Sequence, residues 1–123
     1  MITLHLDDHI KSAATIQDVE AAVRGLDGAR RTLVLIELSS GQTLTVGGGP
    51  DRFVAEVAES DTMRWATIDP TQGDDPINLV VGGQLVDYPA RVCVTKQTVL
   101  DAVSAFVQQN GLRNPSLTWS VET

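Results

Sequence analysis

The stretch TLTVGGGPDRFVAEVA, residues 43–58, decides how the middle of this chain folds. Thr43–Val46 and Phe53–Ala58 both alternate in the manner of strands that bury one face. Gly47–Gly49 lies between them, and glycine permits the positive backbone angles of a tight connection or a bulge. The stretch therefore predicts two antiparallel strands joined by a chain reversal. A helix beginning at Pro50 is the competing prediction, because proline is favoured at a first helical position.

The same glycines raise a second possibility, a phosphate-binding loop over Gly47–Arg52. Such a loop joins a strand to a helix N-terminus and usually continues with a lysine and a hydroxyl residue. Here proline follows instead, then Asp51, which would repel a phosphate, and Arg52, which would attract one. Chain reversal is the favoured interpretation, and a small-molecule or nucleotide-binding module that uses this turn is the alternative function.

Upstream of this stretch the sequence predicts a strand and then a helix. Ile2–Leu6 alternates apolar with polar side chains, which indicates a strand. Thr15 and Asp18 then form a capping box, followed by aliphatic side chains at helical spacing. Gly25 and Gly28 end this helix, and its single apolar stripe predicts that it lies on a sheet.

Four further strands and one long loop are predicted around and beyond the central stretch. Thr32–Leu38 and Met63–Ile68 are strand-like, the first of them central in the sheet. Asp69–Pro76 contains two prolines, one glycine and three aspartates, which exclude regular structure and make it the longest loop. Ile77–Val81 and Val86–Val94 then resume as strands.

The last third of the sequence predicts a hairpin turn, a second helix and a closing strand. Gly82–Gln84 forms the turn, and Tyr88–Pro89 marks a sheet edge or a strand entry. A second capping box, Thr98 with Asp101, lies within the last helix. Leu117–Val121 follows as a strand.

These elements predict the fold class. Most connections between predicted strands are too short for parallel crossovers. We therefore expect an α+β fold, a single domain over residues 1–123. Its mostly antiparallel sheet has about six to eight short strands, and two helices pack on one face of it.

The charge of the chain restricts its partners. Sixteen acidic and nine basic residues give a net charge of −7, which argues against nucleic acid as a partner and is compatible with a basic protein. The longest near-apolar run, Leu33–Ile36, is far short of the roughly 20 residues that span a bilayer. No signal peptide is recognisable at the N-terminus, and Cys93 is the single cysteine, so we expect a cytoplasmic protein without an internal disulfide.

Two motifs invite a chemical interpretation. His5, Asp7 and His9 would share a strand face and offer mixed nitrogen and oxygen ligands that suit zinc, but no further ligand follows at a recognisable spacing. Cys93 alternates with valines, as a small buried side chain does. We therefore expect no metal, no cofactor and no enzyme, although a catalytic site built on scattered carboxylates or on the two histidines is a rival hypothesis.

Four motifs, taken in order, resemble one family: the first in the numbered series of immunity proteins from bacterial polymorphic toxin systems. They are a glycine-rich turn after a strand, an Arg-Phe-Val start of the next strand, a Gly-Gly turn before a proline, and a terminal Pro-x-Leu-x-Trp strand. The residues are Leu44–Gly49, Arg52–Val54, Gly82–Gln84 with Tyr88–Pro89, and Asn114–Trp119, within a match from about Leu33 to Val121.

This resemblance implies a non-enzymatic inhibitor. Such proteins protect the producing cell and its kin by binding the toxic domain of a cognate effector. The toxins paired with the family are expected to include deaminases and nucleases that act on nucleic acids. A toxin of that kind presents a basic surface to its substrate, which an acidic immunity protein can occupy.

The contact residues are chosen on physical grounds, because they should vary with the toxin. The acidic candidates lie on the long loop and on the chain just before it, and two large side chains between them would supply an apolar centre. A solvated loop and strand end is the other interpretation of the acids. The candidates are Glu56, Glu59, Asp61, Met63, Trp65, Asp69, Asp74 and Asp75.

Two further expectations concern assembly. The free protein should be a monomer or a weak dimer, with an edge strand near Tyr88 as the surface that would support a dimer. An accessory or structural subunit without inhibitory activity is the remaining rival, and a toxin gene immediately upstream would argue against it.

Overall fold

The computed structural model describes residues 1–122 as an α+β structure with nine strands and two α-helices. This confirms the predicted fold class. The elements are β1 Ile2–Leu6, β2 Ile10–Lys11, α1 Ile16–Arg24, β3 Leu33–Leu38, β4 Thr43–Gly48, β5 Phe53–Ala58, β6 Arg64–Ile68, β7 Pro76–Val81, β8 Gln84–Pro89, a 3-10 helix Ala90–Val92, α2 Lys96–Gln108 and β9 Thr118–Glu122.

Seven strands form one antiparallel sheet in the order β2-β1-β3-β4-β5-β6-β9, and β7 pairs with β8 as a separate hairpin. The central stretch supplies β4 and β5, with Val46 opposite Ala55. The helix that competed for residues beyond Pro50 is therefore wrong, since a strand begins at Phe53. The two-residue strand β2 was not predicted, because its residues are exposed and carry no alternating pattern.

Each helix begins at a threonine cap. At α1 the predicted capping box is confirmed: Thr15 Oγ1 accepts from Asp18 N at 3.2 Å, and Asp18 Oδ2 accepts from Thr15 N at 2.9 Å. The box predicted at Thr98 and Asp101 is wrong. Helix α2 begins earlier, because Thr95 has extended backbone angles and its hydroxyl accepts from Thr98 N at 3.3 Å.

The main core lies between the helices and one face of the sheet. Strands β3, β4 and β5 each contribute alternate side chains that are almost wholly buried, and the helices contribute their apolar stripes. Burying one such aliphatic or aromatic side chain contributes roughly 1.5–3 kcal/mol. The largest are Leu4, Val19, Val23, Val34, Ile36, Leu44, Val46, Phe53, Val57, Val99, Val103 and Phe106.

A second, smaller core lies on the opposite face of the sheet, beneath the β7–β8 hairpin. Leu79 of β7 meets Ala66 of β6 and Cys93 there. The strand predicted over Val86–Val94 is wrong beyond Pro89, where the chain turns into the 3-10 helix and carries Cys93 under the hairpin. The buried position expected for Cys93 is confirmed.

The glycine run serves both the strand and the chain reversal. Gly47 and Gly48 belong to β4, which corrects the prediction that all three glycines form the connection. Gly48 and Gly49 have the positive φ angles that were expected, +96° and +102°, and the Gly49–Pro50 bond is cis. Because β5 rather than a helix follows, the segment lacks the helix N-terminus on which a phosphate loop depends.

Candidate functional site

Strand β6 divides most of the predicted contact residues into two groups. Glu59, Asp61 and Met63 precede β6, whereas Asp69, Asp74 and Asp75 follow it. A strand of five residues separates the groups by ~13 Å at the usual rise. The acids therefore form two clusters, one at each end of the same strand.

The first cluster is built on the turn between β5 and β6. Glu59 N donates to the carbonyl of Met63 at 3.0 Å, and the Ser60 hydroxyl accepts from Met63 N at 3.1 Å. These bonds order the turn, yet Asp61 and Met63 stay exposed, with Met63 at 40%. The turn therefore presents one carboxylate and one apolar side chain to solvent.

Trp65 is held on the helix side of the sheet. Its partner in register, Val57, is wholly buried there. The guanidinium of Arg113 lies 3.9 Å from the centroid of the indole ring, and Arg113 Nε donates to Glu59 Oε1 at 2.6 Å. Trp65 Nε1 is buried, with no acceptor among the described residues. The ring is thus half-buried and covered on one side by Arg113.

The second cluster lies on the loop between β6 and β7, which is anchored at several points. Asp69 Oδ1 accepts from Thr71 Oγ1 at 2.6 Å and from Thr71 N at 3.0 Å, and these bonds lower the pKa of Asp69. Asp74 pairs with Arg91. Asp75 is exposed, and its carbonyl accepts from Ala90 N at 2.9 Å. Asp69 therefore shapes the loop, whereas the carboxylates of Asp74 and Asp75 face outward.

Glu56 lies apart from both clusters, in a cleft of about 370 Å³ between the sheet and the hairpin. Its carboxylate is 3.4 Å from Arg64 Nη1. Tyr88 and Arg91 also line the cleft, and burial together with the nearby Glu56 carboxylate raises the pKa of Tyr88. Arg64, Tyr88 and Arg91 were not among the predicted site residues. They come from three separate elements that only the folded hairpin brings together.

The motif His5-x-Asp7-x-His9 does not assemble as a ligand set. His5 Nε2 is 3.1 Å from Glu37 Oε1, and His9 Nδ1 is 2.6 Å from Asp8 Oδ1. Asp7 instead accepts hydrogen bonds from the start of β3. Within residues 1–122 no three His, Cys, Asp or Glu side chains are grouped closely enough to hold a metal ion.

The described residues thus place two ordered acidic clusters on the surface, one at each end of β6. Comparison with known families matches residues 9–121 to the family described as Immunity protein Imm1. The chain belongs to this family. The match begins well before Leu33, the start expected from the resemblance, and so includes α1. Comparison with individual curated proteins gives no match. In the described part of the chain no helix is long and apolar enough to cross a membrane.

Proposed function

We propose that this protein neutralises the toxic domain of a cognate polymorphic toxin by binding it, and that the toxin is a deaminase or nuclease acting on nucleic acid. Membership of the Immunity protein Imm1 family supports an immunity role. The net charge of −7 favours a toxin that acts on nucleic acid, because an enzyme that acts on a polyanion needs a basic surface around its active site. The inhibitor works without catalysis, metal or cofactor.

The contact surface consists of the β5–β6 turn and the β6–β7 loop. Asp61 and Asp75 are exposed, and neither has a hydrogen-bonding or ionic side-chain partner among the described residues, so both carboxylates are available to a basic partner. Met63 supplies exposed apolar area beside Asp61. Asp74 contributes charge at the second cluster, where Arg91 partly offsets it. Complementary charge of this kind accelerates association, which suits an inhibitor that must act before the toxin does.

Four predicted candidates take other roles in this proposal, and one of them, Asp69, shapes the β6–β7 loop. Glu59 fixes Arg113 over Trp65, so both Glu59 and Trp65 support the turn from its helix side. Glu56 lies inside the cleft and contributes through its pairing with Arg64. The protein acts in the cytoplasm as a monomer or weak dimer, and its surface charge disfavours nucleic acid as a direct partner.

The test is an inhibition titration with the toxic domain encoded immediately upstream. A binding inhibitor should reduce toxin activity linearly to zero at one equivalent and elute with the toxin as a stoichiometric complex. An enzyme that modifies or degrades the toxin would act at far less than one equivalent. Substoichiometric inhibition, or an active toxin in the presence of excess protein, contradicts the proposal.

A further inference from the structure

The cleft beneath the β7–β8 hairpin is lined by two arginines, although the protein as a whole is acidic. Two arginines, Arg64 and Arg91, line it with one carboxylate, that of Glu56. The chain itself carries a net charge of −7. The carboxylate that pairs with Arg91, that of Asp74, is exposed and does not line the cleft, so the cleft can offer the Arg91 guanidinium to another anion when Asp74 is displaced.

Between these charged groups the walls of the cleft are largely apolar, and they enclose a space large enough for a small molecule. Val54 and Ala66 of the sheet line it together with Val81 of the hairpin and Val92 of the 3-10 helix. The small side chain of Ala66, which is 7% exposed, leaves room above the strand. Cavities of about 300–1,000 Å³ bind small molecules, and this one measures about 370 Å³. An aliphatic or aromatic group of a few carbons fits this space.

Backbone hydrogen bonds hold Arg91 in place, whereas a ligand can replace Asp74 as the ion-pair partner of its side chain. Arg91 N donates to the carbonyl of Gly73 at 2.9 Å, and its own carbonyl accepts from Asp69 N at 2.7 Å. The guanidinium pairs with Asp74, whose side chain is 81% exposed. Solvent-exposed ion pairs of this kind are weak, so a ligand carboxylate can displace Asp74 without disturbing the backbone at Arg91.

The opposite end of the cleft fixes the orientation of a ligand. Arg64 is the first residue of β6, whereas Arg91 lies beside the end of that strand through its bond to Asp69. At the Arg64 end, the carboxylate of Glu56 lies in the cleft itself, 3.4 Å from the guanidinium, and would repel a second carboxylate, whereas Asp74 lies outside the cleft. An anionic group therefore belongs at Arg91, with its apolar stem extending over Ala66.

We propose that this cleft is a binding site for a carboxylate carried on an apolar stem, with Arg91 as the residue that binds the carboxylate. The site does not depend on the proposed function. The ligand has two possible sources, an acidic side chain or chain terminus of the toxin, and a free aliphatic carboxylic acid.

The test is a titration of the ¹⁵N-labelled protein with hexanoate, followed by NMR, with hexylamine as the matched cation. Hexanoate should shift the amide resonances of Ala66, Val81 and Arg91 saturably, and hexylamine should not. Arg91→Gln should weaken binding about tenfold, the effect of removing one charge-assisted hydrogen bond. Arg113→Gln is the matched control, because Arg113 is also paired with a carboxylate but lies on the other side of the sheet.

Asp74→Asn provides a second variant whose expected effect has the opposite sign. Removing the competing carboxylate frees Arg91, so hexanoate should bind about threefold or more tightly. Asp61→Asn makes the same change in net charge at the other end of β6 and should leave binding unchanged. Equal effects of Asp74→Asn and Asp61→Asn, equal effects of Arg91→Gln and Arg113→Gln, or equal shifts with hexylamine would overturn the proposal.

A competition experiment identifies the source of the carboxylate. If the toxic domain binds and releases hexanoate from the cleft, the toxin supplies the group. If the toxin complex still binds hexanoate with unchanged affinity, a free carboxylic acid is the ligand. Failure of the toxin to bind at all would overturn the proposed immunity partner while leaving the hexanoate site supported by the first titration.

Discussion

The side chain of Val81 packs directly against the backbone of Gly47, so that a Cβ atom placed on Gly47 would lie 2.5 Å from Cγ1 of Val81. Such a distance is too short for two carbon atoms, and valine has little freedom to rotate away. Beside it, a Cβ on Gly48 would lie 3.2 Å from Leu79. The two glycines of β4 therefore allow the hairpin to lie close to the sheet, which forms the second core and the cleft.

We expect Gly47→Ala to lower the free energy of unfolding by about 1–3 kcal/mol, the usual cost of overpacking a core. Urea denaturation at neutral pH measures the change. Gly73→Ala is the matched control, because a Cβ at Gly73 meets no atom within 4 Å. Adding Val81→Ala should recover part of the loss in a double-mutant cycle. Equal stability of the Gly47 and Gly73 variants would contradict the packing argument.

The Arg113–Trp65 contact gives a second prediction. Arg113→Ala removes the guanidinium 3.9 Å from the ring and leaves Glu59 without its partner, so stability should fall by about 1 kcal/mol. In a Trp119→Phe background the remaining tryptophan is Trp65, whose emission should shift to longer wavelength as water reaches the ring. Unchanged emission would show that the guanidinium does not shield the indole.

The hydrogen bonds that the Asp7 carboxylate accepts predict that the stability of the protein depends on pH. Burial alone would raise its pKa, but hydrogen bonds from Thr32 Oγ1, at 2.6 Å, and from the amides of Thr32 and Leu33 lower the pKa below its ordinary value of 3.8. Since the folded pKa is depressed, the stabilisation is present above pH 3.8 and is lost as the pH falls through the folded pKa.

Asp7→Asn should therefore destabilise the protein by about 1 kcal/mol at pH 7. The difference between the two proteins should shrink as the pH falls below the pKa of the Asp7 carboxyl in the unfolded chain. Urea denaturation of both proteins from neutral to acidic pH measures this. A difference of the same size at every pH would mean that the charge of Asp7 contributes nothing.

The proposed toxin surface predicts a salt-sensitive association rate. Asp61→Asn and Asp75→Asn should each slow association about two- to fivefold at low salt, because rim charges act mainly on encounter. The effect should shrink as salt screens the charges. Glu20→Gln on α1 changes the net charge equally and serves as the control. Stopped-flow mixing with the toxic domain provides the rates, and equal slowing by all three variants would contradict a localised surface.

Cys93 should be unreactive in the folded protein. Its side chain is 0% exposed, and burial raises the pKa of its thiol even though Arg52 is nearby. A thiol-specific reagent such as Ellman's reagent should modify one thiol per chain rapidly in guanidinium chloride and only very slowly in buffer. Rapid modification of the native protein would mean that the hairpin opens readily.

Local sequence patterns predicted an element correctly where one residue class at one spacing determines the structure. The alternation around Gly47 predicted β4 and β5, and Thr15 with Asp18 predicted the start of α1. They failed where two local patterns compete. Both Thr95 and Thr98 are followed three residues later by a side chain with an oxygen, and only the extended backbone at Thr95 makes it the cap.

The cleft could not be predicted from spacing alone, because its polar groups come from elements that are distant in sequence. Glu56 and Arg64 are neighbours across β5 and β6, but Tyr88 and Arg91 reach them only through the packing of the hairpin. One signal was present in the sequence: glycines at positions inside a strand indicate that another segment approaches closely. Treating Gly47 only as part of a turn missed that signal.

The sheet separates the two cores, and this has a consequence for how such a protein can diversify. Alternate residues of β5 point to opposite sides, so Val54 and Glu56 can change while Phe53, Ala55 and Val57 continue to hold the helices. Changes at these two positions therefore leave the main core beneath the helices unchanged. Members of the family can therefore diverge residue by residue on one face of the sheet while the other face keeps its packing.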